Sequence, residues 1–85
     1  MEKEQVRYEV YGILEEYLGI NKEKIKPEND IMEDLGADSL DSVEIIMAIE
    51  ENFEIEIEDE IAETMQSVEE TVDSVYDKIN NKKKK

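Results

Sequence analysis

The chain has 85 residues, 25 acidic against 10 basic, and a formal net charge of −15 at neutral pH. That length supports one small domain, and that charge argues against nucleic acid as a partner, because phosphate binding needs a basic face. With no cysteine and no histidine, disulfide scaffolds, His/Cys metal centres and the usual Ser–His or Cys–His catalytic pairs are excluded. The sequence shows no apolar signal segment and no run long enough to cross a membrane. It reads as a soluble, cytoplasmic protein whose natural complement is a partner with a basic patch.

Residues 4–18 carry a helical period that puts Val6, Val10, Ile13, Leu14, Tyr17 and Leu18 on one side. Gly19 suits the position just past the helix end. Tyr8 and Tyr11 are either a ligand platform or aromatics flanking the core. Residues 20–38 have no sustained period; Pro27 cannot sit inside a helix and biases Lys26 towards an extended conformation. Ile20, Ile25, Ile31 and Leu35 punctuate polar residues there, as anchors that would pin a long loop to the core. A loop this long in a small domain needs a reason, and positioning Ser39 is one.

Residues 39–53 read as the second helix, about 22 Å long at 1.5 Å per residue. Asp38 is a good N-cap, and Asp41 completes a box-like arrangement. Ile45, Ile46, Ile49 and Phe53 fall on the core side, with Val43 at its margin. Asp41, Glu44 and Glu51 fall opposite, and Leu40 and Met47 lie among those acids. Apolar anchors rimmed by one sign of charge suit a docking patch. They equally describe a solvated acidic face with two incidental apolar residues.

The run Phe53–Glu58 alternates with period two, a strand signal. No second strand exists to pair with it, so it reads as an extended connector dropping one or two isoleucines inward. A short helix over Asp59–Met65 would turn Ile61, Ala62 and Met65 inward. Ser67-Val68-Glu69-Glu70 is a capping box. The last helix then runs to about Ile79, with Val68, Val72, Val75, Tyr76 and Ile79 on one stripe. Residues 80–85 read as a disordered lysine-rich tail, either a solvated end or a contact for an anionic lipid or nucleic acid. No basic residue lies between Pro27 and Asp77, so the middle of the chain is uniformly anionic.

Ser39 sits where irregular sequence gives way to helix. As a nucleophilic catalyst it lacks a histidine, and exposed Asp38 and Asp41 are poor bases at neutral pH. An autonomous hydrolase is therefore not expected. As a target of modification it is better placed, because a helix N-terminus offers N–H groups and partial positive charge to a phosphate. Asp38 and Asp41 oppose deep nesting of that phosphate. A plain helix-start serine is the blander alternative.

Leu35-Gly36-Ala37-Asp38-Ser39-Leu40-Asp41-Ser42-Val43-Glu44 closely resembles the attachment motif of acyl carrier proteins of dissociated (type II) fatty acid synthesis. The resemblance continues through Leu18-Gly19, Met47-Ala48-Ile49-Glu50-Glu51 and Glu56-Ile57, covering roughly Val6 to Ile79. It implies an all-α four-helix bundle over residues 1–79, with three longer helices, one short one and a long loop between the first and second. It implies that Ser39 carries 4′-phosphopantetheine, installed from coenzyme A by a holo-acyl-carrier-protein synthase. The arm's thiol would hold growing acyl chains as thioesters, making the protein a monomeric carrier and not an enzyme. Asp38, Leu40, Asp41, Glu44, Met47, Glu50 and Glu51 match positions that meet basic patches on fatty acid synthesis enzymes. Ile46, Ile49, Phe53, Ile57, Ala62 and Met65 match positions lining an acyl pocket. Ile61, where relatives often have an acid, Glu58, where proline is frequent, and the lysine tail depart from the family pattern.

Two other readings stand beside this one. A polyketide, peptidyl or D-alanyl carrier would use the same chemistry. A plain acidic interaction or divalent-binding module would need no prosthetic group. An EF-hand frame on Gly36 fails, since it puts Ile31 at the first position and Ser42 at the twelfth. No specific metal site is expected, only weak divalent binding near Asp38, Asp41, Glu50 and Glu56.

Overall fold

A computed structural model describes residues 2–83, with the side chains of Lys82 and Lys83 left aside. It contains four α-helices among those residues: α1 (Lys3–Leu18), α2 (Ser39–Phe53), α3 (Asp59–Glu63) and α4 (Val68–Lys83). A single 3-10 turn, Lys22–Lys24, interrupts the α1–α2 loop. The architecture is the all-α bundle of three long helices and one short helix that the family resemblance implies.

Helix α1 buries Val6, Val10, Ile13 and Leu14. Tyr17, expected on that side, is instead 41% exposed; it lies in the last turn of the helix, and its phenol favours water. Gly19 ends the helix with φ of 67°, and its N–H donates to the Glu15 carbonyl. That left-handed geometry is where glycine avoids the Cβ penalty. Helix α1 is also cross-linked to α4. Arg7 donates to both carboxylate oxygens of Glu69, at 3.1 and 3.3 Å, and Lys3 pairs with Asp73.

The long loop is tied down by its backbone. Ile25 and Ile31 are buried as expected, joined by Ala37, while Ile20 and Leu35 are only half-buried. The Val68 N–H donates to the Asn29 carbonyl and the Glu69 N–H to the Pro27 carbonyl, both at 2.9 Å. The Ile31 N–H donates to the Gln66 carbonyl, also at 2.9 Å. The first N–H groups of a helix have no partner within it. Here the loop supplies carbonyls to two of them, and the Ser67 hydroxyl accepts the Glu70 N–H.

Past Phe53 the chain turns through Glu54 in a left-handed conformation and continues extended to Glu58. Ile57 is buried and Ile55 half-buried, so the alternation seen in the sequence sorts these side chains without forming a strand. Helix α3 stops at Glu63, two residues short of the expected end, although Met65 still turns into the core. Helix α4 buries Val68, Val72, Val75 and Ile79, and also Thr71, whose hydroxyl donates to the Ser67 carbonyl at 2.9 Å.

The expectation of a tail from Asn80 needs correction. Helix α4 continues to Lys83, because lysine is a good helix former and positive charge suits a helix C-terminus. Lys84 and Lys85 lie outside the described residues.

Candidate attachment site and docking face

The approach to Ser39 is a built turn. The Asp30 carboxylate accepts the Met32 and Glu33 N–H groups at 2.9 Å each, and Asp34 returns the arrangement by accepting the Asp30 N–H at 2.7 Å. Gly36 then takes φ of 83°, and the Ala37 N–H donates to the Ile31 carbonyl. Ala37 is buried, so it anchors the chain one residue before the cap.

Asp38 and Asp41 form the reciprocal box that the sequence predicts. The Asp41 N–H donates to Asp38 Oδ1 at 2.8 Å, and the Asp38 N–H donates to Asp41 Oδ2 at 3.3 Å. Between them Ser39 is exposed at the first position of α2. Among the described residues its hydroxyl has no hydrogen-bond partner. The result is a free nucleophilic oxygen on a rigidly capped helix end, with no base of its own.

The outward face of α2 carries Leu40 (66% exposed), Val43 (54%) and Met47 (53%) at helical spacing. Glu44 and Glu51 are exposed beside them. The helical wheel puts Val43 at the core margin; the structure turns it outward as the middle member of an apolar stripe. Glu50 differs from the exposed Glu44 and Glu51 of α2. It is half-buried, and its Oε2 accepts the Ile57 N–H at 2.8 Å, so that oxygen holds the connector instead of facing a visitor.

An apolar cleft of about 430 Å³ opens between the loop, α2, α3 and the start of α4. Of the expected pocket residues, Ile46, Ile49, Ala62 and Met65 line it. Phe53 and Ile57 do not. Both are buried in the core cluster, where their side chains fill the space they were expected to border. The cleft exists where side chains are short or set back, at Ala62, Ser42 and Thr71, and its wall is completed by Ile31 and Ile45. Ser42 lies one turn along α2 from Ser39, which brings the cleft close to the exposed hydroxyl.

The suggested divalent positions are partly committed to the backbone. Asp38, Asp41 and Glu50 each commit an oxygen to a backbone N–H. Among the described residues no group of three or more acids is arranged to hold a metal ion. None of the described helices is long and apolar enough to cross a membrane.

An exposed serine at a capped helix start, an anionic face studded with apolar residues and an adjacent apolar cleft define a carrier domain for a covalently attached arm. Residues 9–75 match the family described as "Phosphopantetheine attachment site". The chain is 50% identical over 80 residues to an acyl carrier protein of Cyanidium caldarium, covering 94% of this chain and 93% of that one. It is 44% identical over 78 residues to acyl carrier proteins of Chlorobium phaeobacteroides (strain DSM 266 / SMG 266 / 2430) and Chlorobium luteolum (strain DSM 273 / BCRC 81028 / 2530). Each of these alignments covers 92% of this chain and 100% of the relative. The chain belongs to the acyl carrier protein family.

Proposed function

We propose that Ser39 Oγ is the attachment point of 4′-phosphopantetheine, and that the protein carries acyl chains between enzymes of fatty acid synthesis in the cytoplasm. The observation that carries this reading is the exposed, unengaged Ser39 hydroxyl held between Asp38 and Asp41 at the start of α2. The bound arm supplies the thiol that the cysteine-free chain lacks, and acyl groups ride on it as thioesters. In attachment, the Ser39 oxygen bonds to the pantetheine-side phosphorus of coenzyme A, and adenosine 3′,5′-bisphosphate leaves. The hydroxyl proton passes to a base on the synthase, since no histidine is available here. The protein itself positions and presents; it does not catalyse.

The docking face in this reading is Asp38, Leu40, Asp41, Glu44, Met47 and Glu51, with Val43 added to the apolar stripe. Charge steers a basic partner enzyme and the apolar stripe supplies burial. Ile46, Ile49, Ala62 and Met65 shelter the aliphatic chain, at about 0.8 kcal/mol per methylene removed from water.

The test is intact mass after incubation with coenzyme A, magnesium and a phosphopantetheinyl transferase. One phosphopantetheine adduct is expected, absent in Ser39→Ala and retained in Ser42→Ala. An unchanged mass, or an adduct surviving Ser39→Ala, would overturn the assignment.

A further inference from the structure

Beside the docking face, an open groove of about 310 Å³ runs between α1 and α2, lined by Ile13, Glu16, Tyr17, Ala48, Glu51 and Asn52. Its floor is apolar: Ile13 is buried, and the methyl group of Ala48 leaves room where a larger side chain would fill it. One wall is the partly exposed ring of Tyr17. Glu16 and Glu51 are exposed at the rim, and among the described residues neither makes an ion pair or side-chain hydrogen bond. Asn52 spends its amide N–H on Glu9, at 2.6 Å, leaving its carbonyl oxygen as a further acceptor.

Among the described residues no cation pairs with Glu16 or Glu51. Lys3 and Arg7 of α1 are engaged by Glu4, Glu69 and Asp73, and Lys22 sits over the Tyr8 ring, 3.7 Å from its centroid. We infer that the α1–α2 groove receives an arginine side chain of the partner enzyme. This inference rests on the docking reading and extends it from α2 onto α1. The guanidinium plane stacks on Tyr17, and its edges donate to Glu16 and Glu51. Its aliphatic stem lies over Ala48 and Ile13. A lysine ammonium, a compact and strongly hydrated charge, lacks the plane that matches the ring. Glu51 lies one turn beyond Met47, so an arginine here and an apolar contact on the stripe are reachable by one partner surface.

Two measurements test this. Isotope-labelled protein is titrated with the capped tripeptides Ala-Arg-Ala and Ala-Lys-Ala while its amide resonances are followed. The arginine peptide is expected to shift Tyr17, Ala48 and Asn52 saturably and to bind about threefold tighter than the lysine peptide, the size of an exposed cation–π contact. Ala48→Met, which fills the groove without changing charge, removes that preference, as does Tyr17→Leu. Equal, dispersed shifts with both peptides, or a preference that survives Ala48→Met, overturn the inference.

In parallel, kcat/KM for modification by the transferase is compared for Ala48→Met, Tyr17→Leu and Leu40→Ala, with folding checked by circular dichroism. A drop of about threefold or more in both groove variants is expected, on the same cation–π scale. A drop for Leu40→Ala with none for the groove variants sinks the groove and leaves the docking face standing. No drop for Leu40→Ala counts against the docking face, and the peptide titration still decides the groove.

Discussion

Glu50 of α2 accepts the backbone N–H of Ile57, seven residues downstream, at 2.8 Å. The same residue's backbone carbonyl accepts the Ile55 N–H at 3.1 Å. One glutamate therefore holds the exit from α2 twice, through its main chain and through its side chain. The connector into α3 depends on it, and so does one wall of the cleft.

Replacing Glu50 separates structure from recognition. Glu50→Ala and Glu50→Gln lose the same charge, but the glutamine oxygen can still accept the Ile57 N–H. Urea denaturation is expected to find the alanine variant less stable than the glutamine variant by about 1 kcal/mol. Exposed Glu44→Gln changes stability by no more than about 0.5 kcal/mol, while slowing modification by the transferase. Equal stabilities for the two Glu50 variants would show that the bond contributes nothing.

Amide hydrogen exchange reads the anchoring of the long loop. First-turn amides normally exchange quickly, for want of acceptors. Val68 and Glu69 are expected to be protected, because Asn29 and Pro27 accept from them. Ser39 and Leu40, at the same positions of α2, are expected to exchange quickly. Rapid exchange at Val68 and Glu69 would mean that the loop is not held as described.

The Glu58–Lys78 contact gives a pH dependence with a definite sign. The 2.8 Å hydrogen bond from Lys78 holds the Glu58 carboxyl below its ordinary range, with its backbone contributing. A lowered folded-state pKa gives stability that is present above the unfolded value and lost as pH falls through the folded one. The stability difference between the natural chain and Glu58→Gln is thus expected to be constant near neutral pH and to shrink below about pH 4. Both residues are partly in water, so the effect is small. A difference that grows on acidification would contradict the assignment.

Salt is expected to stabilise this protein. At a net charge of −15, self-repulsion opposes the compact state. Raising ionic strength from about 0.01 M to about 0.15 M cuts the screening length from about 30 Å to about 8 Å. Relief of about 1 kcal/mol corresponds to a Tm rise of roughly 4–8 °C, measurable by calorimetry in sodium chloride. A melting point indifferent to salt would mean that repulsion is already balanced.

Much of this was legible because the decisive signals are local. Asp38 with Asp41 and Ser67 with Glu70 mark where α2 and α4 begin, and both boxes form. The exposed serine at the start of α2 follows from the first of them. Backbone bonds such as Glu69 to Pro27 carry no side-chain signature, so the loop's anchoring was hidden. The helical period says that Phe53 points inward and the period-two alternation says the same of Ile57, but neither says whether an inward side chain fills space or borders it. Val43 lay at an angle where core and solvent sides meet, and only the packing of α1 against α2 decides it.

The carbonyls of Pro27 and Asn29 find their donors only in residues made some forty positions later. A polypeptide still emerging from the ribosome without Val68 and Glu69 lacks these two ties and keeps only the local bonds around Asp30, Asp34 and Ile31 in the stretch that precedes Ser39. The approach to that serine is thus fully tied down only once the start of the C-terminal rod has been synthesised. In the proposed reading an arm is loaded onto a fully framed serine only after the first turn of that rod exists, and a product ended before it would lack two of the ties that hold the frame.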